Sequence, residues 1–231
     1  SRTLHRGGIV LIPAFAVDRT EVILMRLREA MQAGRIPRVD IYADSPMALS
    51  SLRFYREAID EGSAEIRPDV VQEWQGRDPF DPGTLREMST VEQSKSLNDL
   101  TAPSIIVSAS GMATGGRVVH HLAHLLPNAK NTVVLVGYQA MGTRGWRLQQ
   151  GDPEVKIHGD MVPVRAEIAS IEGFSVHADG DEILAWLQPA KVRQVFVVHG
   201  ETTAAQAMAQ RVRDTMHIDA RVPEPGERVV I

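Results

Sequence analysis

No cysteine occurs among the 231 residues of this chain. Disulfides, thiolate metal sites and a cysteine nucleophile are thereby excluded. The lack of thiols fits a reducing compartment, and a cytoplasmic setting is the expectation. Aromatic residues are scarce, at 5%, so any core must be mostly aliphatic. No apolar run approaches the ~20 residues that carry a helix across a bilayer, so no membrane partner is expected. The opening residues, Ser1-Arg2-Thr3-Leu4-His5-Arg6, lack the apolar stretch of a secretory signal. They also lack an initiator Met, and the expectation is that the chain starts inside a larger protein. Neither sign of charge dominates. The formal net charge of −4 argues against a globally basic nucleic-acid binder but leaves a local basic groove open, because the field at a site depends on where the charges sit. What remains is ordinary for a globular protein: 43% hydrophobic and 23% charged residues, enough chain for one large domain or two small ones.

Short apolar runs alternate with helix-period segments over the first 137 residues. Gly8 to Pro13, Val39 to Ala43, Ser104 to Ala109 and Thr132 to Gly137 read as strands. Their near-continuous apolar character is that of strands covered on both faces. Helices are expected from about Asp18 to Ala33, from Pro46 to about Ile59 with Ser45 as its cap, from Thr90 to Leu100, and from Arg117 to Leu126. The alternation points to a parallel α/β sheet flanked by helices. The polar stretch Glu61 to Met88 reads as short helices and loop. After Gly137 the texture changes. Val155 to Ile157 and Met161 to Ile171 alternate around His158-Gly159-Asp160 and read as a hairpin. A helix from Asp181 to Leu187, a strand Val195 to Val198, a helix from Thr202 to about Met216 and a short tail follow. A boundary is expected between about Gly137 and Asp152, giving domains 1–140 and 141–231.

Two histidines carry the strongest chemical signal. His177 lies in Gly173-Phe174-Ser175-Val176-His177-Ala178-Asp179, and His199 in Val195-Phe196-Val197-Val198-His199-Gly200-Glu201. Each follows an apolar run, so the pattern strand–His–helix–strand–His would set both on one rim of one sheet, where α/β sites are commonly built. There an imidazole can ligate a metal or, when protonated, hold a phosphate. The competing reading is two strand-end histidines satisfied by the backbone. Gly111 to Gly116 is a Gly-rich strand-to-helix turn. Its Gly115 and Gly116 could cradle a phosphate on backbone N–H groups or merely serve a tight turn. It matches neither a Walker A loop nor the dinucleotide fingerprint. Arg117 and Arg19 are candidates for phosphate contact, each against a plain surface role. Asp44 could meet a metal-bound water, although a helix cap is favoured. His120, His121 and His124 read as a helix surface, and Tyr138 as a base-stacking or packing residue.

The blocks GFSVHADGDEILAWL and VFVVHGE resemble the C-terminal motifs of the metallo-β-lactamase-fold ribonucleases of the β-CASP group. GGIVLIPAFAVDRTEVIL, IYADSPMA, IIVSASGMATGGRVVHHL and VVLVGYQAMGTRG are similar, in order, to the strands and turns of the β-CASP domain. The resemblance spans nearly the whole chain and is weakest from Glu61 to Met88. It implies a β-CASP domain followed by the returning strands of an αββα metallo-β-lactamase-type domain. It implies a ribonuclease acting on phosphodiester bonds of single-stranded RNA, by exonucleolytic or endonucleolytic cleavage. His177 then corresponds to the catalytic histidine at the scissile phosphate, Ser175 to an RNA phosphate contact, and His199 to a zinc ligand. Glu201 could orient His199 or equally be a solvated helix start.

The chain also departs from that group. The zinc-binding motif His-x-His-x-Asp-His is absent from these 231 residues, and one His cannot hold two zinc ions. The resemblance therefore implies a C-terminal half whose partner is a missing N-terminal metallo-β-lactamase half. Two zinc ions are expected in the complete enzyme and none on this chain alone, which would be inactive by itself. A non-catalytic RNA-binding or interaction scaffold is the alternative, and a homodimer is left open.

Overall fold

The computed structural model describes residues 1–175 and 177–229. They pack as two units, Ser1–Ser175 and Val176–Ile231. The first unit runs α1 (Arg2–His5), β1 (Val10–Pro13), α2 (Arg19–Gln32), β2 (Ile41–Ala43), α3 (Pro46–Asp60), α4 (Pro68–Trp74) and β3 (Leu85–Glu87). It continues with α5 (Val91–Ser96) and its 3-10 extension, β4 (Ile105–Ser108), α6 (Arg117–Leu125), β5 (Thr132–Leu135), α7 (Arg144–Gln149), β6 (Glu154–Ile157), β7 (Asp160–Pro163) and β8 (Glu167–Ser170). Six strands form one parallel sheet in the order β3-β2-β4-β1-β5-β8.

The alternation of side chains sorts the sheet's two faces. Leu11 stands opposite Ile106 and Val133, and all three pack with Val118, Val119, Leu122 and Leu125 of α6. Ile12, Ile41, Ile105 and Val107 point to the other face, against Ile23 and Leu24 of α2 and Leu52 and Ile59 of α3. Both faces of the inner strands are covered, which explains the unbroken apolar runs. The α/β class read from the sequence is thus observed as three layers.

Strand order also locates a crevice. From β1 the chain crosses through α2 on one face to β2. From the neighbouring β4 it crosses through α6 on the opposite face to β5. Adjacent strands whose helices leave to opposite faces open a gap beyond their C-terminal ends, where α/β proteins bind ligands.

Three readings of the sequence need revision. Leu85–Glu87 forms an edge strand within the stretch expected to be helices and loop; it is too exposed to show a pattern. Met161 to Ile171 is not one hairpin arm. β7 pairs with β6, while β8 turns back to lie parallel to β5 in the main sheet. That pairing makes β8 part of the first packed unit. Residues 171–175 form loop and turn rather than a strand.

The second unit comprises α8 (Gly180–Leu187), β9 (Gln194–Phe196), α9 (Thr202–Met216) and β10 (Asp219–Arg221). β9 and β10 pair in parallel, so the expected tail contributes a strand. Leu187, Ala209, Val212 and Ala220 form a small core.

Candidate functional site

The crevice at the strand ends measures about 570 Å³. The loop after β1 contributes Phe15 and Ala16, the start of α3 contributes Ser45, Pro46 and Met47, and the Gly-rich loop contributes Ser110, Gly115, Gly116 and Arg117. Ser45 caps α3 as expected, its hydroxyl accepting the Ala48 N–H at 3.3 Å, with Pro46 at the first helical position. Gly116 sits at φ 77, just before α6. A Cβ there would lie 2.8 Å from the Ala109 carbonyl oxygen, so the turn demands glycine. Gly115 has open space around its would-be Cβ.

Asp44 lies under the crevice wall with no exposed surface. Its Oδ1 accepts Arg117 Nη1 at 2.7 Å. Its Oδ2 accepts the Ser94 hydroxyl at 2.6 Å and lies 2.6 Å from His121 Nε2. The Asp44 backbone oxygen takes the Ser108 hydroxyl at 2.8 Å. Burial alone would raise this carboxyl's pKa. The hydrogen bonds from His121, Ser94 and Arg117 outweigh burial and hold it below the ordinary value. Asp44 is therefore not a cap, since Ser45 does that work. It ties β2 to α5 and α6.

His121, read as part of a helix surface, is 2% exposed. It stands on the α6 stripe of Val118, Leu122 and Leu125, at helical spacing. His120 and His124 are exposed as expected. His120 stacks on His158 of the β6–β7 turn at 4.3 Å, and burial together with that neighbouring ring lowers its pKa. Arg117 is held in place: besides Asp44, Nη1 donates to the Met88 carbonyl at 2.7 Å and Nη2 to that of Ser89 at 3.3 Å. Arg19 is 7% exposed and its Nε and Nη1 make no hydrogen bond to the described residues; burial lowers its pKa. It is not among the residues lining the crevice. Tyr138 is largely exposed.

Ser175 closes the first unit as an exposed residue. Val176 lies outside the described residues. In the second unit His177 is exposed, two residues before a full capping box. Asp179 accepts the Asp181 and Glu182 amides at 2.9 Å each, and Glu182 accepts the Asp179 amide at 2.8 Å. His199 is exposed with φ 66, a left-handed backbone unusual for a residue with a Cβ. Such outliers gather at functional sites. Glu201 is the residue before α9 and makes no side-chain cap. His199 and Gly200 edge an apolar groove of about 590 Å³ that also takes in Ile183, Trp186, Val198 and Met208. Trp186 is 77% exposed.

Among the described residues, no group of three or more His, Asp or Glu side chains gathers to hold a metal ion. A catalytic zinc takes about three protein ligands, so the described side chains do not make such a site by themselves.

The family model described as the Beta-Casp domain matches residues 20–148, more than half of the chain. The chain belongs to the β-CASP family. A second model, the RNA specificity domain of Zn-dependent metallo-hydrolases, matches residues 161–223. This β-CASP chain is 41% identical to a ribonuclease of Thermus thermophilus over 90% of its own length and 47% of that protein's. It is 33% identical to the transcription termination factor FttA of Thermococcus kodakarensis, over 96% of its length and 35% of the factor's. An RNase J-like protein of Methanocaldococcus jannaschii is 32% identical over 98% of the chain and 51% of that protein. The chain thus spans about half, or less, of the curated relatives it matches. The β-CASP resemblance read from its motifs is borne out.

Proposed function

We propose that this chain supplies the RNA-binding part, and one side of the catalytic centre, of a ribonuclease that hydrolyses phosphodiester bonds of single-stranded RNA. One observation carries the reading: the RNA specificity match over residues 161–223 encloses Ser175, His177 and His199. His177 holds the scissile phosphate and gives its proton to the leaving oxygen, with Ser175 as a second phosphate contact. In the first unit, backbone N–H groups at Gly115, Gly116 and the start of α6 meet RNA phosphate. Arg117 adds positive field there, while its tie to Asp44 holds the loop.

His199, in its left-handed turn, joins metal ligands that this chain lacks, with Glu201 beside it. The apolar groove at Ile183 and Trp186 is covered by the metallo-β-lactamase half of the longer protein. The isolated chain is accordingly inactive.

The test uses a protein of the relatives' full length. His177→Ala should lower cleavage of a single-stranded oligoribonucleotide by about 10²–10⁴-fold and leave zinc content unchanged. Unchanged turnover would remove His177 from the mechanism. RNA binding without any cleavage by the unmodified protein would favour a non-catalytic scaffold instead.

A further inference from the structure

We propose that the segment from Gln139 to Gly145, the lead-in to α7 and its first turn, is a clamp that sets the Gly-rich loop for RNA, with Arg144 as its positioning residue. The inference rests on the reading that RNA phosphate meets that loop.

Three successive loop carbonyls are each bound from this one segment. Gly111 O accepts Gln139 Nε2 at 3.2 Å, Met112 O accepts the Gly145 amide at 3.0 Å, and Ala113 O accepts Arg144 Nη1. Arg144 is itself fixed. Thr143 caps α7 by accepting the Trp146 amide at 3.2 Å, and Arg144 Nε donates to the Lys156 carbonyl on β6 at 3.0 Å. Gln139 Nε2 also donates to the Gly137 carbonyl at 3.0 Å. A side chain at position 145 would have to displace Gln139. A Cβ there would lie 1.7 Å from Gln139 Oε1 and 3.0 Å from the Met112 oxygen.

The loop needs this support. Ala113 is fully buried at φ 55, a conformation residues with a Cβ rarely adopt. Such a residue persists where its surroundings over-determine it. On its other side the loop closes on Ser110, whose carbonyl accepts the Ala113 amide at 3.1 Å and whose hydroxyl accepts the Thr114 amide at 3.2 Å. Held from both sides, the loop presents Ser110, Gly115 and Gly116 to the crevice in one conformation. A loop that is already ordered does not spend binding energy on ordering itself. Arg144 thus acts on RNA through the loop and does not touch it.

The experiment measures the affinity of this chain for a fluorescent oligouridine across a salt series, together with hydrogen exchange at the Gly145 amide. Arg144→Met removes both donations and should weaken affinity on the order of tenfold, with an unchanged salt slope and faster exchange at Gly145. Gly145→Ala should do the same by displacing Gln139. Arg144→Lys keeps the charge but not the two-pronged geometry and should fall between. Gly115→Asp, with open space for its side chain, puts negative charge into the crevice and tests the underlying reading. Lost affinity in Gly115→Asp with none lost in the two clamp variants would overturn the clamp and leave the RNA reading standing. No loss in any variant would overturn both. A salt slope reduced by about one charge in Arg144→Met would mean that Arg144 meets phosphate itself, against a positioning role. Should the clamp variants fail to fold, the unmodified chain decides: oligouridine should slow exchange at Gly145, and unchanged exchange overturns the coupling.

Discussion

Replacing Asp44 with Ala is the sharpest test of how the first unit is held together. The carboxylate is fully buried and takes Arg117, Ser94 and His121 at 2.6–2.7 Å. Truncation leaves the Arg117 guanidinium and the 2%-exposed His121 ring without the acceptor they share. Removing one partner of a buried ion pair costs about 3–5 kcal/mol, because the charge left behind is uncompensated. That is a large part of the roughly 5–15 kcal/mol by which domains are stable. At about 2–4 °C per kcal/mol for a domain of this size, the Tm should fall by roughly 6–20 °C. Urea denaturation should show a lower midpoint with an unchanged slope.

The effect has a defined pH dependence. The folded Asp44 carboxyl titrates below its ordinary value. Its stabilisation is therefore fully present above the unfolded pKa of about 4 and is lost as pH falls through the folded value. The gap between the unmodified chain and Asp44→Ala should be constant near neutrality and narrow only in acid. A loss under about 1 kcal/mol at pH 7, or a gap that widens in acid, would refute this account of the network.

Two further substitutions probe the crevice. Ser45→Ala removes the cap of α3 and should cost about 1 kcal/mol, read as a Tm shift; no shift would mean that Pro46 alone starts the helix. Gly116→Ala meets both a left-handed backbone and the Ala109 carbonyl and should destabilise by more than the ~1–2 kcal/mol of an L residue forced into that conformation. Near-wild-type stability would show that the turn rearranges easily.

How much of this was legible in the sequence depended on burial. β1, β4 and β5 lie inside the sheet and are covered on both faces, so Val10–Pro13, Ile105–Ser108 and Thr132–Leu135 announce themselves as apolar runs. β3 and β8 are edge strands, only partly covered, and leave no such mark; β8 reads as part of a hairpin because alternation does not reveal which strand is the neighbour. Ser45-Pro46 was readable because capping is local. The partners of Asp44 were not: Ser94 is 50 residues away and His121 is 77. One signal was there to be used, since His121 shares the helical stripe of Val118, Leu122 and Leu125 and so had to face inward. The clamp on the Gly-rich loop joins backbone carbonyls to Gln139, Arg144 and Gly145, and no side-chain pattern encodes a carbonyl. At the second unit, His177 and His199 stand out as residues, but the sequence does not show that residues 171–175 are loop and turn.

The central claim is that this chain binds single-stranded RNA, and equilibrium titration of the isolated chain with oligouridine against an RNA duplex tests it most directly. The account predicts saturable binding of the single strand, affinity that falls steadily with added salt, and weaker binding of the duplex. No binding at low salt, or equal affinity for both forms, would contradict it.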